Sequence, residues 1–259
     1  MNVQIPIRQA EARPLLDERP LKKRVGLLIL STDHTTEPDY QRMVASADVG
    51  VYVARVPFAN PVTPENLRAM QPSLSEAAAL ILPDEALDGI CYSCTAASVV
   101  IGDAEIEAAI HAGKPGVPVV TPPLAGVRGL QALGARRISI LTPYTVETSR
   151  PMADYFARHG FDIASFTCLG LTDDRDMARI SGDALVELAA DAIAPNAEAL
   201  FISCTAVRAA LVAARIERRI GRPLVSSNLA SAWQSLRLCG IDEARPEWGR
   251  LMTLPLSKS

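Results

Sequence analysis

The sequence has no surplus of positive charge: its 259 residues carry 26 Lys+Arg against 29 Asp+Glu, a net charge of −3. It therefore offers no basic field to a phosphate backbone, and nucleic acid is not an expected partner. No apolar run approaches the roughly 20 residues that cross a bilayer, which excludes a transmembrane segment and gives no expectation of a membrane partner. Residues 1–22 mix charges and prolines without an apolar stretch of the secretory kind, and read as a polar arm. Histidine is scarce: His34, His111 and His159 are scattered, and no metal site is expected from them. There is no G-x-G-x-x-G and no P-loop lysine, so no dinucleotide or nucleotide cofactor is expected.

What is present suits a packed globular protein. Apolar residues make up 49% and charged residues 21% of the chain, enough to bury a full core and too apolar for wholesale disorder. The length allows one large domain or two of roughly 100–150 residues. Five cysteines is an odd number. In a cytoplasmic chain thiols stay reduced, so all five are expected to be free, and each needs its own account.

Short apolar runs alternate with Ala-rich stretches of helical spacing. Strands are expected at 25–30, 49–56, 87–92, 117–120, 138–141, 199–202 and 224–225, and helices at 64–82, 97–112, 124–134, 147–159, 181–193, 206–220 and 229–239. Most strand runs are continuously apolar, as in parallel sheets buried on both faces. Thr63-Pro64-Glu65 opens a helix with an N-cap hydroxyl, a proline at the first position and an acid in the first turn. The alternation implies an α/β fold with parallel sheets.

The chain also repeats itself. Ser93-Cys94-Thr95-Ala96 and Ser203-Cys204-Thr205-Ala206 are the same tetrapeptide, each after an apolar strand. Upstream, residues 24–32 answer residues 137–143; downstream, residues 117–125 answer residues 222–230. Three matched features in one order argue for two similar halves. The expected division is an arm at 1–22, a first domain from 23–121 plus 222–259, and a second at 122–221.

Cysteines at the carboxyl ends of two strands sit where open α/β sheets bind ligands. A helix start there supplies free N–H groups and partial positive charge, which favour an anionic ligand and a thiolate. Across a pseudo-twofold axis, Cys94 and Cys204 would flank one cleft. Two acid–base groups on opposite faces of one carbon suit proton removal and redelivery; alternatively one thiolate adds to a double bond while the other handles protons. A buried cysteine is ordinarily an inert small hydrophobe, but the repeated context sets these two apart. Cys91, which forms a C-x-x-C with Cys94, has Phe201 as its counterpart and reads as core; Cys168 and Cys239 have no chemical company. Other loops at the same sheet end offer Ser31 and Asp33, Tyr144, and Asn228, while Thr95 and Thr205 offer donors to an enolate-like oxygen. Caps and turns account for such hydroxyls equally well. The Ala-rich helices serve either a homo-oligomer face or packing within one chain.

Tyr92-Ser-Cys-Thr95, Leu141-Thr-Pro-Tyr144, Phe201-Ile-Ser-Cys-Thr205, and Val225-Ser-Ser-Asn228 followed by Trp233 resemble the maleate isomerase and arylmalonate decarboxylase branch of the Asp/Glu racemase superfamily. The resemblance runs from about Lys23 to Leu251. Within that branch, Gly26 to His34 and Ser203 to Ala209 are most similar to the ectoine-utilisation group. The resemblance implies two pseudo-symmetric flavodoxin-like domains with parallel four-stranded sheets, a cofactor-free site between them, and catalysis by cysteine. It makes Cys94 and Cys204 the catalytic pair and assigns Tyr144 and Asn228 to the substrate site; Ser31, Asp33, Thr95, Ala96, Thr205 and Ala206 are expected to bind substrate beside them. In the isomerases the first-half cysteine is the nucleophile and the second a proton donor. The decarboxylases have glycine at the first position, so Cys94 argues against decarboxylation.

One departure bears on the substrate. Asp33 stands where the isomerases carry an asparagine, and Leu171-Thr-Asp173-Asp174 again offers acids. A buried aspartate repels a dicarboxylate and welcomes an ammonium. The leading expectation is a cofactor-independent racemase or isomerase of a small carboxylate, an amino-acid derivative such as arises in ectoine degradation. The alternatives are maleate-type cis–trans isomerisation through a Cys94 adduct, and a non-catalytic small-carboxylate sensor.

Overall fold

A computed structural model describes residues 5–256. Residues 5–20 are exposed and form neither helix nor strand. The first half then runs β1 (Lys23–Leu30), α1 (Thr36–Met43), β2 (Val49–Val56), α2 (Pro64–Arg68), α3 (Leu74–Ala79), β3 (Gly89–Ser93), α4 (Thr95–Ile101), α5 (Asp103–Gly113), β4 (Val119–Val120) and α6 (Pro122–Ala132). The second half runs β5 (Arg137–Thr142), α7 (Val146–Arg158), β6 (Asp162–Cys168), α8 (Asp174–Ala178), α9 (Gly182–Ala192), β7 (Ala199–Ile202), α10 (Ala213–Ile220), β8 (Leu224–Ser226) and α11 (Ser227–Leu238).

The strands form two four-stranded parallel sheets, ordered β2-β1-β3-β4 and β6-β5-β7-β8. The orders are equivalent, as the sequence repeat requires. The central strands are buried along their length: Val25, Leu27, Leu28 and Ile29 in one sheet and Ile138, Ile140, Leu200 and Phe201 in the other are at 0% exposure. Each such side chain contributes roughly 1.5–3 kcal/mol of transfer free energy. Continuous apolar runs are therefore central strands, and the sheets' open faces are covered by helices.

The last helix of each half crosses to the other sheet. Gly126 of α6 lies so close to Phe201 of β7 that a Cβ there would sit 2.7 Å from the ring, while Leu238 of α11 lies against Gly89 of β3. This exchange ties the halves together and puts the start of α11 beside both cysteine strands. The expected division at residue 222 is displaced by one strand, because β8 pairs with β7 in the second sheet and the return to the first half begins at Ser227.

Three expected helices are cut. The run 64–82 divides around a 3-10 turn at Gln71–Ser73, which contains Pro72. The run 97–112 divides at Gly102, whose φ of +110 suits glycine and interrupts α-helix. The run 206–220 begins with a 3-10 turn at Ala210–Val212 and becomes α-helical only at Ala213. The structure adds β6, an edge strand whose part-exposed Ile163 and Phe166 are interspersed with polar residues, and α1 and α8, which have few apolar residues.

Candidate active site

Cys94 ends the run of β3 and is the N-cap of α4, with extended backbone at φ −148°. Ser98 Oγ donates to its carbonyl at 2.7 Å, and the Ala97 N–H in the first turn favours the thiolate form. Cys204 follows β7, but no helix begins there. It adopts φ +87°, one of three non-glycine residues in the left-handed region among those described. That conformation curls the next peptides back, so the Ala206 and Val207 N–H groups reach the Cys204 sulfur. The expectation of a helix start at both cysteines holds for Cys94 and is corrected for Cys204, where a tight loop supplies the N–H groups instead.

The two cysteines line one cavity between the sheets, each 6% exposed. The space is narrow, a cavity of about 20 Å³. Its polar wall is Asp33, Asp174, Tyr144 and Thr205, with Ala96 and Ala206 beside the cysteines. Leu30, Phe58, Val62, Leu67 and Met177 close it with apolar surface. Among the described residues no lysine, arginine or histidine lines it. A larger groove of about 540 Å³ lies at the other end of β3, near Asp84, Glu85 and Lys114. Glu85 is paired with Arg24 and Lys114 donates to the carbonyls of Leu82 and Glu85, and no cysteine borders it.

The carboxylates come from opposite halves, but groups of the first half hold both. Asp33 Oδ1 accepts from the Thr35 and Thr36 N–H groups at 2.8 and 2.7 Å, and Oδ2 accepts from Thr36 Oγ1 at 2.6 Å. Asp33 is thus an anchor for the start of α1 as well as cavity wall. Asp174 accepts from Asn60 Nδ2 at 2.7 Å and from Thr32 Oγ1, both in the first half. Burial raises the Asp33 carboxyl above its usual range, opposed by the Thr36 and Thr35 hydrogen bonds and by Arg55.

Burial also governs the thiols. It pushes Cys204 up to about 11 against the Tyr144, Ala206 and Val207 hydrogen bonds. It raises Cys94 further, with added repulsion from Cys204, Asp33 and Asp174. The expectation that a helix start would favour a thiolate is corrected: desolvation outweighs the N–H groups, and both resting groups are thiols. Tyr144 is raised well above an ordinary phenol, by burial and then by the two cysteines.

The remaining expected residues support the loops. Thr95 Oγ1 donates to Ser227 Oγ at 2.7 Å, and Asn228 donates to the Thr205 carbonyl at 2.9 Å. Ser31 is exposed and accepts from the Phe58 N–H at 3.1 Å. None of these three lines the cavity. Phe58 and Val62 follow β2 at the same sheet end, a position the strand-end rule marks; Met177 carries no signal in the sequence. Among the described residues no group of three His, Cys, Asp or Glu is placed to hold a metal.

Residues 74–252 match the model of the family described as arylmalonate decarboxylase. The chain belongs to that family. A maleate isomerase from Nocardia farcinica (strain IFM 10152) is 29% identical over 89% of this chain and 95% of its own. The arylmalonate decarboxylase of Bordetella bronchiseptica is 34% identical over 52% of this chain and 58% of its own. Among solved structures, a cysteine-to-serine mutant of the Nocardia farcinica maleate cis-trans isomerase carries a covalently bound succinylcysteine intermediate. It superposes with a TM-score of 0.81 at 26% identity, covering 89% of this chain and 98% of that one. These family members share the two-sheet α/β architecture.

Proposed function

We propose that this family member is a cofactor-independent isomerase of a small carboxylate, working as a racemase through Cys94 and Cys204. The observation that carries the reading is the pairing of two cysteines in one closed cavity with two buried carboxylates and no cationic side chain. Once one cysteine has lost its proton to bulk water, its thiolate removes a proton from the carbon next to the carboxylate, and the other thiol returns a proton from the opposite side. After one turnover the two have exchanged protonation states, and no proton is gained or lost overall. Tyr144, on the cavity wall, supplies a donor to the substrate carboxylate.

The acids narrow the substrate. A dianion entering between Asp33 and Asp174 meets like charges in low dielectric, where repulsion is weakly screened. A substrate with one carboxylate and one ammonium meets complementary charge, which supports an amino-acid derivative. Its ammonium also offsets the repulsion that Asp33 and Asp174 exert on Cys94, so binding favours thiolate formation. Membership of an ectoine-degradation route belongs to the same proposal and is supported by the likeness at Gly26 to His34 and Ser203 to Ala209. A reducing, cytoplasmic setting suits a site whose Cys91 and Cys94 are both free thiols.

A second reading is cis–trans isomerisation of a maleate-like diacid by addition of the Cys94 thiolate to the double bond, favoured by the maleate isomerase relatives. Incubation with amino-acid derivatives and with maleate, monitored for product and for intact mass, separates the two. The first reading expects exchange of the α-proton and no adduct; the second expects fumarate and a mass increase on Cys94. A binding-only role for the cleft gives neither, and unchanged turnover in both C94S and C204S sinks the two-cysteine mechanism.

A further inference from the structure

Asp39 is a buried carboxylate that the site does not use. It lies on α1, is 1% exposed and is absent from the cavity wall. Its Oδ2 accepts from Asn228 Nδ2 at 2.9 Å, and the same Nδ2 donates to the Thr205 carbonyl at 2.9 Å. Asn228 thereby spends both amide hydrogens on acceptors, which fixes its orientation: turned over, its Oδ1 would face two oxygens. The carbonyl it holds is that of Thr205, the residue after Cys204, whose φ is +87°. That conformation is disfavoured for a side chain and persists only where the surroundings enforce it. The other restraints on the loop are Thr35 Oγ1 to the Ala206 carbonyl at 2.7 Å and Thr205 Oγ1 to the Ser93 carbonyl at 3.2 Å.

We propose that Asp39 is a positioning residue for Cys204, acting through Asn228 to hold the Thr205 peptide and with it the left-handed turn at the cysteine. The proposal rests on reading Cys204 as one of the catalytic pair. A second observation points to a switch in this contact. Asp39 Oδ1 and Asn228 Oδ1 are both buried without a hydrogen-bond partner among the described residues. A protonated Asp39 supplies the missing donor to Asn228 Oδ1 once the amide turns over, and that turn releases the Thr205 carbonyl. The charged groups facing Asp39 are Arg42 on its own helix, with Nη1 at 3.8 Å, Asp33 before that helix, and Arg208 from the second half. Burial raises the Asp39 carboxyl to about 6; Asp33 adds to this, while Asn228, Arg42 and Arg208 oppose it. Below that pH the carboxyl is protonated and the loop is loosened; above it the carboxylate holds Asn228 in place.

The test is the rate of iodoacetamide modification of Cys204 relative to Cys94, read by peptide mass spectrometry on the full chain between about pH 5 and about pH 8. In the wild type the ratio is expected to change across about pH 6, where Asp39 titrates. Asp39→Asn keeps an acceptor for Asn228 but cannot ionise, and is expected to give a ratio constant with pH. Asp39→Ala is expected to move the ratio by roughly fivefold at neutral pH, the size of one lost hydrogen bond. The side-chain ¹⁵N amide resonance of Asn228 is expected to titrate in the wild type and not in Asp39→Asn. A wild-type pH response in Asp39→Asn overturns the proposal, as does an Asp39→Ala protein that loses thermal stability with the ratio unmoved. No substrate enters these measurements, so their outcome is independent of whether the racemase reading survives.

Discussion

Thr205 donates its hydroxyl to the carbonyl of Ser93 at 3.2 Å, so the residue after one candidate catalytic cysteine is fastened to the residue before the other. The two halves are joined at the site itself. On the opposite side Thr95 donates to Ser227 at the first turn of α11, and Asn228, one residue on, holds the Thr205 carbonyl. The repeat in the sequence is thus a shared frame in which each cysteine loop is positioned by the other half.

Thr205→Val tests that frame. It removes a buried donor and leaves the Ser93 carbonyl without it, which is expected to cost about 1–3 kcal/mol. Urea unfolding measures the cost, and modification of both cysteines, rather than of Cys204 alone, is expected to change.

The left-handed turn at Cys204 stores strain that glycine lacks. Cys204→Gly is expected to be more stable than Cys204→Ala by about 1–2 kcal/mol, because only alanine retains a Cβ at φ +87°. Denaturant midpoints of the two variants decide this, and equal stability would remove the strain from the account.

Asp174 is expected to select the charge of the ligand. It accepts from Thr32 and Asn60 across the halves and faces the cysteines in the cavity. Asp174→Asn removes one negative charge, so binding of zwitterionic amino-acid derivatives should weaken while binding of dicarboxylates strengthens, by about tenfold or more in the ratio. Isothermal titration with one ligand of each class reads it; parallel changes for both classes contradict it.

The raised thiol gives a pH signature. An unperturbed thiol titrates near 9.0 and Cys204 near about 11, so the native fold holds its proton more tightly than the unfolded chain. This contribution to stability is fully present below the unfolded value, declines as pH rises above 9.0, and is lost as pH passes about 11. Alkylation of ligand-free Cys204 should accordingly keep rising with pH past the point where an exposed thiol levels off.

Much of this architecture is legible in the amino-acid order. Continuous apolar runs mark the central strands because both their faces are buried, and the duplicated Ser-Cys-Thr-Ala fixes where the halves correspond. The edge strand β6 is less visible because its residues stay part-exposed and its apolar positions are interrupted. Cys94, Cys204, Asp33, Tyr144, Thr205, Ala96 and Ala206 meet in one cavity; Ser31, Thr95 and Asn228 stand behind or outside it. What sequence spacing does not carry is burial. Helix starts and N–H groups suggest thiolates, but desolvation decides the protonation state, and it depends on how tightly the halves close. The divergence of identical tetrapeptides is equally hidden: Cys94 caps a helix, while Cys204 turns left-handed.

The most direct test of the two-cysteine account is deuterium wash-in at the α-carbon of each enantiomer of an accepted substrate, comparing the wild type with Cys94→Ser and Cys204→Ser. The account requires exchange into both enantiomers in the wild type, and loss of racemisation in each variant with residual exchange confined to one enantiomer, opposite in the two variants. Full racemisation by either variant, or exchange lost from the same enantiomer in both, would contradict it.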